Sequence, residues 1–118
     1  MSSLSPLCGG SLERLNLIEW SFSIVPSWIG HLHSLKELNL GAKQLIQEDI
    51  GVIGMLPSLV GLNLRIVHVP VTRIVIGGGL FTALKWFTFN CDGISSLTFE
   101  AGAMRNLGYL SLALNTHI

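Results

Sequence analysis

His33–Leu40 reads HSLKELNL, and close variants return along the chain: GSLERLNL ends at Leu17, PSLVGLNL at Leu64 and NLGYLSL at Leu112. With Leu35 as position 1, the phrase sets apolar residues at positions 1, 4 and 6 and a polar one at position 5. On that frame the chain contains five segments, LERLNL, LKELNL, LVGLNL, LKWFTF and LGYLSL, beginning at Leu12, Leu35, Leu59, Leu84 and Leu107. The starts fall at nearly even intervals, and thirteen of the fifteen framework positions are Leu; Phe87 and Phe89 are the apolar exceptions.

Position 5 is Asn16, Asn39, Asn63, Thr88 and Ser111, each flanked by apolar residues. Alternation of this kind predicts a short strand, because successive side chains of a strand point to opposite faces. The interval between these leucines is the period of leucine-rich repeats. One unit cannot offset the entropy of ordering itself by burying three leucines, so neighbouring units must stack and share a core and a parallel ladder. The expected fold is α/β, a leucine-rich-repeat solenoid arc with a short parallel β-sheet on the concave face and loops or short helices on the convex face. A single domain over 1–118 divides into 1–11 (the end of a preceding repeat), full repeats 12–34, 35–58, 59–83 and 84–106, and a truncated repeat 107–118.

The return segments carry apolar residues at less regular spacing: Ile24, Ile29 and Leu32; Ile50, Ile53 and Leu56; Ile74, Ile76 and Phe81; Leu97, Phe99 and Met104. They are expected to fill the outer half of the core. Gln47–Met55 and Val25–Leu32 suit short helical turns, the latter with Pro26 at its first helical position. Ile74–Ile76 suits an outer strand that ends in a turn at Gly77–Gly79.

Composition narrows the function. Charged residues are 12% of the chain and the formal net charge is zero, with no basic arm, so nucleic acid is not an expected partner. The longest uncharged runs, Trp20–Leu35 and Ile50–Leu64, contain Pro and Gly and fall short of the roughly 20 apolar residues of a membrane span. MSSLSPLCGG does not read as a secretory signal. Cys8 and Cys91, far apart and outside any C-x-x-C pattern, are expected as buried free thiols, and no Asn is followed two residues on by Ser or Thr. These features favour a cytoplasmic location.

Catalytic and metal chemistry find little support. Gly77–Gly79 lacks the Lys and hydroxyl that a phosphate loop needs and reads as a turn. His31 and His33 have no third ligand at metal spacing, so exposed loop histidines are expected. Glu48–Asp49 would need a cleft to act as a carboxylate pair and reads as a solvated outer face. No serine or cysteine has a base fixed beside it. No cofactor, metal or enzymatic activity is expected.

What remains is the outward row of the strands. Position 3 gives Arg14, Glu37, Gly61, Trp86 and Tyr109; position 5 the Asn/Thr/Ser row; position 7 Ile18, Gly41, Arg65, Asn90 and Ala113. Trp86 beside Tyr109, with Arg65 one strand back, matches the residue types that anchor protein interfaces. The same aromatics would equally serve to pack against a neighbouring repeat or domain.

IVPSWIGHLHSLKELNL resembles a plant leucine-rich repeat, and LNLGAKQLIQEDIGVIGMLPSLVGLNLRI and ISSLTFEAGAM resemble the C-terminal repeats of plant intracellular NLR (NB-LRR) disease-resistance proteins, particularly those of grasses. The likeness runs from about Leu4 onward. It implies a role in pathogen recognition and defence: sensing a pathogen effector or a host guardee, or restraining the receptor's own nucleotide-binding domain. The binding residues expected on the concave face are Arg14, Asn16, Glu37, Asn39, Asn63, Arg65, Trp86, Thr88 and Tyr109.

Two departures from the family pattern stand out. The sequence has no P-loop, so nucleotide binding does not carry over. The ninth repeat position, often an Asn that bonds loop backbone, is Trp20, Lys43, Val67, Asp92 and Asn115, from which irregular curvature is expected. The chain opens within what reads as the tail of an earlier repeat, Leu4–Leu7, and stops inside the fifth, so a fragment of marginal stability is expected. The competing readings are an extracellular receptor-type repeat binding a peptide or glycan, and a truncated product without independent function.

Overall fold

Each phrase becomes a strand. In the computed structural model, which describes residues 12–68, 73–92 and 96–115, β1 (Arg14–Phe22), β2 (Glu37–Gln44), β3 (Gly61–His68), β5 (Trp86–Asp92) and β7 (Tyr109–Asn115) form one sheet in the order β1-β2-β3-β5-β7. All its pairs are parallel, and the register aligns the phrases position by position: Leu15, Leu38, Leu62, Phe87 and Leu110 lie side by side, as do Asn16, Asn39, Asn63, Thr88 and Ser111.

The backbone repeats as strictly as the leucines. The carbonyl at position 2 of one repeat (Glu13, Lys36, Val60, Lys85) accepts hydrogen bonds from the N–H groups at positions 2 and 3 of the next, all between 2.7 and 3.2 Å. Behind the sheet, Leu38, Leu40, Leu62 and Leu64 are fully buried, and Phe87 and Phe89 stack at 5.7 Å. In the edge strand β7, Leu110 and Leu112 are about two-fifths exposed.

The return segments differ from repeat to repeat. The first contains a 3₁₀ turn, Ser27–His31; the second an α-helix, α1, Gln47–Gly54; the third and fourth hold short strands, β4 (Arg73–Ile76) and β6 (Ser96–Phe99), paired in parallel as a second sheet. Pro26 precedes the 3₁₀ turn as its cap, with extended backbone, instead of occupying the first helical position. Gly77–Gly79 is a turn, and Gly79 takes φ +85°, which glycine adopts without steric cost.

Of the twelve apolar residues expected to line the outer core, Ile24 and Phe99 are exposed and Leu97 is half-buried; the other nine are buried. Ile24 belongs to the irregular bend after β1, where no alternation fixes the side that a residue faces. Phe99 ends β6, and its strand has a single neighbour among the described residues. Cys91 is a buried free thiol, whereas Cys8 and Leu4–Leu7 lie outside the described residues.

Gln47 closes the open side of β4. Its side-chain amide donates to the Val75 carbonyl at 2.6 Å and accepts from the Val75 N–H at 3.0 Å, as a neighbouring strand would. Asp49 accepts from the Ile46 N–H at 3.0 Å and so caps the start of α1.

Candidate interaction surface

Positions 3, 5, 7 and 9 face away from the core, so the sheet presents columns of in-register side chains spaced by about 4.8 Å. Column 3 begins with an ion pair, Arg14 Nε to Glu37 Oε2 at 3.3 Å, on the surface and of little energetic weight. Its centre is Gly61, which is covered by its neighbour: a Cβ added there would stand 2.0 Å from Trp86 Cζ2 and 2.1 Å from Cε2. The Trp86 indole therefore occupies the place of the missing side chain and is half-buried. Tyr109, paired with Trp86 in register, is 59% exposed. Of the two expected anchors, one is already partly spent on packing and the other stands free.

Column 5 is not uniform. Asn16 accepts from the Ile18 N–H at 3.2 Å, which ties it to its own strand. Asn39, Thr88 and Ser111 are half-buried. Asn63 is half-buried too, but its Oδ1 is walled off without a hydrogen-bond donor, a burial that costs roughly 1–3 kcal/mol.

In column 7 the register slips between Leu17 and Phe22 of β1, so that Phe22 pairs with Ala42. The displaced backbone comes over Gly41, where an added Cβ would meet the Ile18 carbonyl oxygen at 2.3 Å. The slip brings Trp20 onto Phe22, with ring centroids 5.7 Å apart, and leaves a cavity of about 280 Å³ lined by Asn16, Ile18, Glu19 and Trp20. Arg65, the next residue of the column, is exposed and takes part in no salt bridge with any described residue.

Lys43 is a binding candidate that reading positions 3, 5 and 7 alone passes over. It is exposed on the same face at position 9, and the ninth-position alignment is the signal that could have found it. Trp20, 57% exposed, holds the ninth place in the sequence frame, but the slip in β1 takes it out of register with Lys43.

Among the described residues no cluster of three or more metal-ligating side chains occurs, and no helix is long and apolar enough to cross a membrane. Burial, reinforced by the charge of Asp92, pushes the Cys91 thiol up to about 11, far from an activated nucleophile.

A family model described as "Leucine-rich repeat region" matches residues 3–118. Among curated proteins, Disease resistance protein RGA5 of Oryza sativa subsp. japonica is 37% identical over 117 residues, covering 98% of this chain and 10% of that protein. The chain thus spans about a tenth of the length of this relative. No solved structure gives a significant match.

Proposed function

Because the chain belongs to the leucine-rich-repeat family, in the form found in plant NLR disease-resistance proteins, we propose that it is a non-catalytic module which binds protein in plant immunity. Its repeats, 12–34, 35–58, 59–83, 84–106 and the partial 107–118, form a solenoid arc whose concave side is the five-stranded sheet. The partner is a pathogen effector, a host guardee or the nucleotide-binding domain of the receptor, met in the cytoplasm. Contacts come from Arg14, Asn16, Glu37, Asn39, Asn63, Arg65, Trp86, Thr88 and Tyr109.

One observation carries this reading: the register sorts residues of the three central strands into a buried apolar set and an outward set that, at positions 3 and 5, is polar or aromatic except for Gly61. Nothing in the packing of the core requires Arg65 or Tyr109, both of which face solvent. Residues of those types supply much of the binding energy at protein interfaces.

Proximity labelling in leaf tissue with the full chain tests it. Wild type and the outer-side variant Met55→Ala should enrich a common set of proteins that the double variant Arg65→Ala, Tyr109→Ala loses. An identical set for all three would overturn the reading.

A further inference from the structure

The parallel register lays four outward side chains on one diagonal of the sheet. Arg65 pairs with Gly41 on one side and Asn90 on the other, Asn63 with Thr88, and Thr88 with Ser111. Moving one strand along and two residues back therefore leads from Lys43 to Arg65, then to Thr88, then to Tyr109. Each step spans roughly 8 Å, from ~4.8 Å between strands and ~3.3 Å per residue along them, so the diagonal is about 25 Å long.

Its two ends differ in chemistry. Lys43 and Arg65 form a basic corner, both exposed, and neither has a salt bridge among the described residues. The face's other arginine, Arg14, is already matched by Glu37. Tyr109 and the adjoining Trp86 form an aromatic corner. Thr88, between the corners, is short and uncharged.

We propose that this diagonal is the recognition track of the concave face, and that its ligand is an extended acidic segment. Two carboxylates dock on Lys43 and Arg65, and an apolar side chain further along the segment lies against Tyr109 and Trp86. An extended chain advances ~3.4 Å per residue and turns alternate side chains to opposite faces, so about eight residues fill the track, with the carboxylates two apart and the apolar residue about four beyond the second, on the same face. The guanidinium of Arg65 can grip a carboxylate through two parallel N–H donors, while Lys43 adds a point charge. Asp92, one strand on and two residues forward of Arg65, lies off the track on its opposite side. This inference rests on the protein-binding reading above and adds the chemistry of the ligand.

Fluorescence anisotropy of labelled octapeptides against the full chain tests the proposal. One probe carries Asp at positions 1 and 3 and Phe at position 7, all on one face of an extended chain, with Gly and Ser elsewhere; a second has Lys for both Asp; a third has Gly for Phe. The acidic probe should bind at least about tenfold more tightly than the Lys probe and lose affinity as salt rises. Removing Phe should weaken it several-fold. Arg65→Glu, and the milder pair Lys43→Gln, Arg65→Gln, should abolish the acidic preference, whereas Arg105→Glu, an equal charge change on an exposed turn off this sheet, should keep it. Equal affinity for acidic and basic probes, no binding by any probe, or equal damage from Arg105→Glu and Arg65→Glu would overturn the proposal. Should that happen while the labelling experiment still maps partners to this face, only the ligand chemistry falls.

Discussion

Trp86 spreads its indole over the bare backbone of Gly61, its in-register neighbour, so one residue's missing side chain is the other's seat. Position 3 carries Arg14 and Glu37 in the preceding repeats, and glycine enters the column only where the large ring follows.

Gly61→Ala should therefore drive the ring off the sheet. The expected cost is about 1–3 kcal/mol in urea unfolding, the range for forced overpacking. Adding Trp86→Ala should make the alanine at 61 nearly neutral. A double-mutant cycle with no coupling between the two sites would show that the contact does not matter.

Gln47 stands in for a strand along β4, supplying one donor and one acceptor to Val75. Replacing it with Met preserves the bulk and removes both bonds. Stability should fall by roughly 1–3 kcal/mol, and the Val75 amide should exchange with deuterium markedly faster. Unchanged exchange at Val75 would mean that water satisfies the strand equally well.

Asp49 gives a pH dependence of unusual sign. Burial raises its pKa from the ordinary 3.8; the bond from the Ile46 N–H pulls in the lowering direction, and Glu48 beside it adds to the rise. A carboxyl whose folded pKa lies above its unfolded value contributes stability below the unfolded pKa and loses that contribution as pH rises through the folded one. Asp49→Asn keeps an acceptor for Ile46 and carries no charge, so it should flatten this part of the stability profile above pH 3.8 and match or exceed wild type at neutral pH. Asp49→Ala should lose about 0.5–2 kcal/mol with the cap. Parallel pH profiles for wild type and Asp49→Asn would refute the assignment.

Adjacent residues of β3 should respond in opposite ways. Leu62 is fully buried, and Leu62→Ala should cost about 2–5 kcal/mol. Asn63→Ala removes an acceptor that has no donor, so its unfolding midpoint should stay near that of wild type or rise. A loss at position 63 comparable to that at 62 would mean that the Asn63 amide makes a bond through bound water.

Much of this was legible because the phrase carries its own geometry. A leucine at positions 1, 4 and 6 with a polar residue at 5 fixes both the strand and the side each residue faces, and the near-constant interval between copies brings them into register. α1 was legible too, from Gln47 and the isoleucines that follow. The slip in β1 was not: IEWSF reads as ordinary strand, and only the neighbouring Gly41 lets the Ile18 carbonyl come so close. Nor was the β4–β6 pairing, since SLTF is short and nothing in it marks β4 as its neighbour. At the candidate surface the columns could be read from the repeat frame. The seating of Trp86 and the orphaned Asn63 oxygen depend on contacts between strands a full repeat apart in sequence, which no local pattern encodes.

The shared carbonyl at position 2 has a consequence for how such a surface can change. Glu13, Lys36, Val60 and Lys85 comprise an acid, two bases and an aliphatic residue, yet each contributes the same main-chain oxygen to the following repeat. Because the joint between repeats is made of peptide groups, the side chains at position 2 are left out of the architecture. A lineage can rewrite its recognition alphabet residue by residue while the page on which it is written keeps its ruling.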